Sequence, residues 1–161
     1  MKNFNKKNKK GFMMVEIIIA VSIMLVVSIA TLSVVQKGLK ISGQSLHSTQ
    51  AAFLLEEGGE IVRILRDGAW SNLSGLSLST NYYPTFSGST WTLSQTPNQV
   101  DSFTRTVTFS RVARDVSTGD IVSSGGVTDD GTLLVNVVVS WQEGEQNLSK
   151  NLSFYISNIF Q

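Results

Sequence analysis

The first third of the chain contains a long apolar segment. Residues 12–35 form a run of 24 residues. Its five polar positions are Glu16, Ser22, Ser28, Thr31 and Ser33. As a helix the run would extend about 36 Å, more than the roughly 30 Å of a bilayer hydrocarbon core. We therefore predict a membrane-spanning helix over residues 12–36.

A second pattern follows without a proline to interrupt it. Apolar or small residues recur at spacings of three and four, which is typical of an amphipathic helix, at Ala51, Leu54, Leu55, Gly58, Ile61, Val62 and Leu65. We predict that residues 37–67 continue the first helix, giving about 80 Å in all. Gly68 should end it in the left-handed capping conformation. Gly58 lies on the apolar stripe, where the missing side chain would let another element approach closely.

The remaining residues, 68–161, change from loop to strand patterns. Residues 71–100 are rich in Ser, Thr, Asn and Gly, with a short hairpin predicted from Tyr82–Phe86 and Thr90–Leu93. Apolar residues then alternate with polar ones in 103–112, 133–141 and 152–156, which predicts antiparallel strands with one buried face. We therefore predict an α+β fold in which the outer half of a long N-terminal helix packs on a small antiparallel sheet.

Charge separates the N-terminus from the rest of the chain. Lys2, Lys6, Lys7, Lys9 and Lys10 are five of the 13 basic residues, which leaves eight against 12 acidic residues in 12–161. The positive-inside rule places such an N-terminus in the cytoplasm and the following domain outside. A net charge of about −4 for residues 12–161 disfavours a nucleic-acid-binding surface. The chain has no cysteine, so thiolate metal sites and thiol nucleophiles are excluded.

Several residues between positions 37 and 161 are of types that act in catalysis or metal binding in other proteins. Their sequence context favours ordinary structural roles. His47, the single histidine, has no catalytic motif around it, and a solvent-facing side chain is favoured. Glu56, Glu57 and Glu60 lack the partner residues of a di-metal site and favour a solvated helix face. Asp129 and Asp130 lack the ligand series of a calcium loop and favour a plain turn. We predict no catalytic residue, metal or cofactor.

Other polar and aromatic groups also favour ordinary roles. The triplets that begin at Asn72, Asn147 and Asn151 match the glycosylation sequon, which is common by chance, and surface residues are favoured. Tyr82, Tyr83 and Trp91 could form an exposed aromatic patch, but core or hairpin packing is the better interpretation.

Glu16 differs from these residues, because a charge inside a membrane helix costs about 2.5–3.5 kcal/mol and usually has a function. Near the cytoplasmic interface the cost is smaller, and Glu16 could protonate or snorkel. The alternative is that a positively charged partner meets the carboxylate. If the chain were cut after Gly11, the new amine of Phe12 would lie about 6 Å away along the helix axis. The two groups are poorly placed to pair within one helix, but they could pair between two neighbouring helices offset by about one turn.

The segment Lys10-Gly11-Phe12-Met13-Met14-Val15-Glu16 and its apolar continuation resemble the type IV prepilins and pseudopilins. The resemblance covers residues 6–36. It implies cleavage between Gly11 and Phe12 by a prepilin peptidase, removal of the leader 1–11, and N-methylation of Phe12. It also implies that Glu16 pairs with the Phe12 amine of a neighbouring pilin subunit in a filament.

The resemblance further implies a place and partners for the chain. The subunit would lie in lipid of the inner (cytoplasmic) membrane, meet the assembly machinery there, and later join an extracytoplasmic or cell-surface filament. The chain departs from many members of the family: Ser33 and Val34 stand where those members have a helix-kinking proline, and no C-terminal disulfide can form. Major, minor and secretion subunits are not distinguished by these residues.

Two other interpretations stay open. The chain could be an uncleaved signal-anchored protein whose outer domain binds a ligand or partner. Alternatively, an ordinary signal peptidase could cut after Ala30, because Ser28-Ile29-Ala30 is a small-x-small site, and release a soluble domain. The mature N-terminus would be Phe12 for a prepilin, Met1 for an anchor and Thr31 for the released domain.

Overall fold

The computed structural model of the protein describes the backbone of residues 10–159 and the side chains of residues 13–159. The chain divides into two compact units, Met1–Leu46 and His47–Gln161. Two helices precede the sheet strands, α1 (Lys10–Gly68) and α2 (Ser71–Ser74). The six strands are β1 (Tyr83–Ser87), β2 (Thr90–Ser94), β3 (Phe103–Arg114), β4 (Ile121–Val122), β5 (Val127–Glu143) and β6 (Gln146–Ser157). Residues 1–9 of the predicted leader lie outside the described residues.

Helix α1 confirms the predicted long helix, and its apolar part belongs to the first unit. It contains 59 residues without a break, from Lys10 to Gly68. By length and composition it could cross a membrane. The predicted cap at Gly68 is wrong, because Gly68 does not adopt a positive φ. Instead, the Leu65 carbonyl accepts hydrogen bonds from the Ala69 N–H and the Asn72 side-chain amide.

The second unit is built on a four-stranded antiparallel sheet. Its strand order is β4-β3-β5-β6, and β5 and β6 are joined by a tight turn in which Gly144 has a φ of 61°. One face of the sheet buries the alternating apolar residues that the sequence predicts, including Val107, Phe109, Val135, Val137 and Val139. The α+β fold predicted from the pattern is thus confirmed.

The residues of α1 from His47 onward cover this buried face. The predicted stripe packs into the core, with Ala51, Leu55, Ile61 and Val62 buried. Gly58 is the point of closest approach, because a Cβ atom there would lie 2.7 Å from Cγ1 of Val137. A side chain at this position would therefore push the helix away from the sheet.

A separate hairpin, β1–β2, agrees with the predicted one to within a residue at each end. Gly88 and Ser89 both have positive φ values at its turn, as a two-residue hairpin loop of this hand requires. Tyr82 bridges to Val107 of β3 and so attaches this hairpin to the sheet. Tyr82 is buried, which agrees with the packing interpretation rather than an exposed aromatic patch.

Three details depart from the sequence prediction. The 71–100 segment contains the short helix α2, and β4 adds a two-residue strand at one edge of the sheet. The predicted plain turn at Asp129-Asp130-Gly131 is wrong, because these residues lie within β5. The pairing of β3 with β5 shifts between Arg111 and Val112, so a β-bulge accommodates them.

Candidate functional site

The first unit presents apolar side chains that no other residue in the described part of the chain covers. Between Met13 and Val35 the large hydrophobic residues are each at least half exposed. Apolar surface on this scale must be removed from water by lipid or by other helices. The backbone of Gly11 and Phe12, the predicted cleavage and methylation positions, lies near the start of α1, while their side chains are outside the described residues.

The hydroxyl groups within this apolar segment are satisfied inside the helix. Each hydroxyl donates a hydrogen bond of 2.7–3.0 Å to the backbone carbonyl oxygen four residues earlier. The four residues are Ser22, Ser28, Thr31 and Ser33. Such local bonds let polar side chains enter an apolar environment without an outside partner. These four residues therefore need no functional explanation.

Glu16 is the exception in the same segment. Its side chain is exposed, and within residues 13–159 it makes no hydrogen bond or ion pair. A carboxylate can leave water at acceptable cost only if it is protonated or meets a donor or a cation. Between residues 13 and 35, Glu16 is therefore the side chain that only protonation or a group from outside the described residues could stabilise in an apolar environment.

The second unit contains a buried ion pair that the sequence analysis missed. Arg105 of β3 is 2% exposed, and its guanidinium donates to the Glu57 carboxylate at 2.5 Å and to the Leu54 carbonyl at 3.4 Å. The guanidinium also lies over the Trp91 ring, 5.7 Å from its centroid. Glu57 is thus not part of a purely solvated face. One signal was present: Arg105 falls on the buried face by alternation, between Phe103 and Val107.

His47 is less exposed to solvent than the sequence analysis predicts. Its Nδ1 atom is buried without a hydrogen bond, 3.7 Å from Oε2 of Glu143. Its ring contacts Phe103 edge-on, with centroids 6.1 Å apart. The Glu143 carboxylate also accepts a hydrogen bond from the Trp141 indole at 3.4 Å. This cluster joins α1 to the end of β5, which is a packing role.

The two acidic residues at the β-bulge are paired with arginines. Asp129 accepts a 2.6 Å hydrogen bond from Nε of Arg114, and Asp130 one of 3.2 Å from Arg111. The hydrogen bond from Arg114 is the main reason why the pKa of Asp129 lies below its usual value. The part of the chain that the structure describes holds no group of three acidic, histidine or cysteine residues arranged for a metal ion.

The other candidates occupy ordinary surface positions. Glu60 pairs with Arg63 on the exposed side of α1, and Asp67 pairs with Arg66. The asparagines of the three sequons, Asn72, Asn147 and Asn151, are all exposed. Trp91 packs against Phe86 within the hairpin, with ring centroids 5.1 Å apart.

Comparison with known proteins adds no relative to this picture. No protein-family model, curated protein sequence or solved structure matches the chain.

Proposed function

We propose that the protein is a structural subunit of a type IV pilus or related pseudopilus, inserted as a prepilin and cleaved after Gly11. The observation that carries the proposal is Glu16, a carboxylate that makes no hydrogen bond or ion pair within residues 13–159 and that lies in an apolar helical segment whose hydroxyl groups are all internally bonded. The other polar side chains of this apolar segment have hydrogen-bond partners within the helix. A carboxylate among them supports a role in contact with another molecule.

Cleavage would supply the complementary charge. A peptidase cut after Gly11 converts the Phe12 nitrogen from an amide to an amine, which is protonated near neutral pH. Between neighbouring helices offset by about one turn, the Glu16 carboxylate of one subunit and the Phe12 ammonium of the next would form a charge-assisted hydrogen bond. Each subunit would use its Glu16 carboxylate to bind one neighbour and its Phe12 ammonium to bind the other, so the same contact would repeat along a filament.

The exposed apolar residues of the first unit support the same proposal. Before assembly they would lie in lipid, and after assembly they would pack against the same segments of other subunits. The second unit has its own core and would lie on the outside of the membrane and then on the filament surface. The proposed partners are thus the prepilin peptidase, the inner-membrane assembly machinery and other pilin subunits.

The first experiment replaces Glu16 in the full chain, expressed together with the peptidase and assembly proteins of the same genome. Glu16→Ala should be cleaved and inserted normally, yet its amount in sheared filament fractions should fall at least about tenfold, because an ionic hydrogen bond contributes about 1.5–3 kcal/mol. Glu56→Gln is the matched control, since Glu56 is an exposed acid of the second unit. Normal incorporation of Glu16→Ala would refute the role of Glu16.

The second experiment determines the mature N-terminus by mass spectrometry of the membrane-bound protein. A prepilin gives Phe12, often with a methyl group on its amine. An uncleaved signal anchor gives Met1, and an ordinary secreted domain gives Thr31. Either of the last two results would replace the filament proposal.

A further inference from the structure

The face of the sheet that points away from α1 carries an ordered set of small polar side chains. The register of β3, β5 and β6 arranges it in rows across three strands. The first row is Thr104, Ser140 and Ser149, and the next is Thr106, Val138 and Asn151. The third is Thr108, Asn136 and Ser153, and the last is Ser110, Leu134 and Tyr155. We call these twelve residues the outer sheet face.

No residue that is charged near neutral pH lies on the outer sheet face, although the same strands carry seven. These seven lie in the core, at the bulge or near the β5–β6 turn: Arg105, Arg111, Arg114, Asp129, Asp130, Glu143 and Lys150. A solvated protein surface usually carries about 25–35% charged residues of both signs. The outer sheet face therefore offers neutral hydrogen-bonding groups without an electrostatic preference.

Most of these groups are free to bind something else. Ser153 donates to the Asn136 side chain at 2.8 Å, and Thr108 makes a long 3.4 Å contact to a backbone carbonyl. Within the described residues, the hydroxyls of Thr104, Thr106 and Ser110 make no hydrogen bond to the protein, nor does the amide of Asn151. Because strands hold these side chains at fixed spacings, little conformational entropy would be lost when they bind a ligand.

One end of the face opens into a groove with an aromatic wall. The groove has a volume of about 490 Å³, and its lining includes the apolar residues Leu134, Tyr155, Ile121 and Val122 together with Arg111, which is paired with Asp130. Tyr155 is 54% exposed, so its ring is accessible next to the polar rows. A tyrosine ring offers an apolar surface for stacking and a hydroxyl for hydrogen bonding. The combination of an apolar wall and neutral donors and acceptors matches a sugar, which has apolar C–H faces and a rim of hydroxyl groups.

We propose that the outer sheet face binds an uncharged polysaccharide, with a sugar ring stacked on Tyr155 and the chain running over the threonine and asparagine rows. A protein partner is disfavoured because protein interfaces are depleted in serine and enriched in arginine and several aromatic residues. A nucleic acid or an acidic polymer is disfavoured because the twelve residues of the face carry no cation, and Arg111 in the wall of the groove is already paired with Asp130. The inference concerns only the second unit and holds for a filament subunit and for a signal-anchored protein alike.

The test measures retention of the full-length protein, purified in detergent, on insoluble cellulose and chitin particles. The wild-type protein should be retained on at least one of them, and 0.5 M salt should not release it, because the contacts are uncharged. Tyr155→Ala should lower retention about fivefold to tenfold. Phe86→Ala is the matched control, because Phe86 is an aromatic residue of comparable exposure, 60%, on the separate hairpin. It should bind like the wild type.

A second variant tests the polar rows independently of the aromatic ring. Thr106→Lys places one charge at the centre of the face, where it should lower retention by a similar factor, while Gln95→Lys on an exposed loop should not. The proposal is overturned if the wild-type protein binds neither polymer, or if Tyr155→Ala and Phe86→Ala bind equally. It is also overturned if Thr106→Lys leaves retention unchanged but prevents the protein from associating with its own copies, since the face would then be a protein interface.

Discussion

Arg105 of β3 contacts two other elements, through Glu57 and Leu54 of α1 and through Trp91 of β2. The guanidinium of Arg105 is buried between α1 and the sheet, while the Glu57 carboxylate remains 45% exposed. The pair is therefore asymmetric, because loss of Glu57 leaves a buried charge without its counter-ion. Loss of Arg105 leaves a carboxylate that water can solvate.

This asymmetry gives the first prediction. Glu57→Gln should lower the free energy of unfolding by about 1–3 kcal/mol, whereas Arg105→Met should have a smaller effect, because methionine keeps the apolar packing and removes the buried charge. Unfolding in denaturant can be followed by tryptophan fluorescence, since Trp70, Trp91 and Trp141 all belong to the second unit. Glu56→Gln serves as the control and should change stability little. A larger loss for Arg105→Met than for Glu57→Gln would contradict this account.

Gly58 gives a second prediction at the same scale. Alanine would normally stabilise a helix by about 1 kcal/mol relative to glycine, but at Gly58 its Cβ would clash with the short side chain of Val137. We expect Gly58→Ala to destabilise the second unit by about 1–3 kcal/mol through overpacking. At the adjacent Gly59 a Cβ meets only ordinary contacts, the nearest at 3.6 Å, so Gly59→Ala should be neutral or stabilising in the same unfolding experiment. Equal effects at the two positions would argue against a close helix–sheet approach.

The sequence predicted Gly58 as a contact point but not the partner of Arg105. The three-and-four spacing around Gly58 is a local pattern, so it can be read from a short segment. Glu57 and Arg105 are 48 residues apart, and their pairing depends on how α1 crosses β3. No local pattern contains that crossing angle. Glu16 could be selected from sequence for a different reason, because it interrupts an apolar run.

At the scale of elements, the β-bulge between β3 and β5 shows where local rules mislead. Asp-Asp-Gly favours a turn, and the Asp129 carboxylate does bond to the N–H of Gly131 two residues later. The strand nevertheless continues, because the bulge accommodates the irregularity and Arg114 from β3 binds the other oxygen of Asp129. Pairing between strands therefore overrides the local turn preference here. The strand positions at 103–112, 133–141 and 152–156 were predictable because alternation is itself a local signal.

The bulge gives a prediction on pH. Because hydrogen bonding to Arg114 lowers the pKa of Asp129 in the folded state, the ionised form stabilises the fold. This contribution is fully present above the unfolded pKa of about 3.9 and is lost as the pH falls through the lower folded value. Asp129 is partly exposed, so we expect about 0.5–1 kcal/mol. Asp129→Asn should therefore show a smaller loss of stability between pH 5 and 2 than the wild type.

Asp130→Asn is the control for this pH titration. The Asp130 side chain is 82% exposed, and its pair with Arg111 is solvated. We expect its acid unfolding profile to follow the wild type. If the two variants behave alike, the bond between Arg114 and Asp129 does not stabilise the bulge.

For the whole molecule, the two units differ in what they need from their surroundings. Among the residues that the structure describes, the buried hydrophobic ones lie at Ala51 or beyond, so the second unit has a core of its own. The described residues of the first unit form no such core, so their apolar side chains would need lipid or other helices to leave water. This division explains why the fold class was predictable from sequence: each unit has its own periodicity. Membrane side, cleavage and filament formation depend on molecules outside the chain and stay predictions.

The division predicts that the second unit folds without the first. A fragment of residues 41–161 should be soluble without detergent and unfold in one cooperative transition. Its Tm should lie within about 5 °C of that of the same unit in the full chain, since a change of 1 kcal/mol shifts Tm by a similar amount. Circular dichroism at increasing temperature measures both. Aggregation, or a broad transition without a defined midpoint, would show that the apolar helix contributes to the core.

The close approach of Gly58 to Val137 also has a consequence for biosynthesis. The two residues are 79 positions apart in the chain. At a translation rate of about 5–20 residues per second, the apolar stripe of α1 is made roughly 4–16 seconds before the strand that will cover it. During that interval the stripe is an uncovered hydrophobic surface. Because the helix precedes the sheet in the chain, a membrane surface or a chaperone can bind the apolar stripe during this interval, before the stripe becomes part of the core.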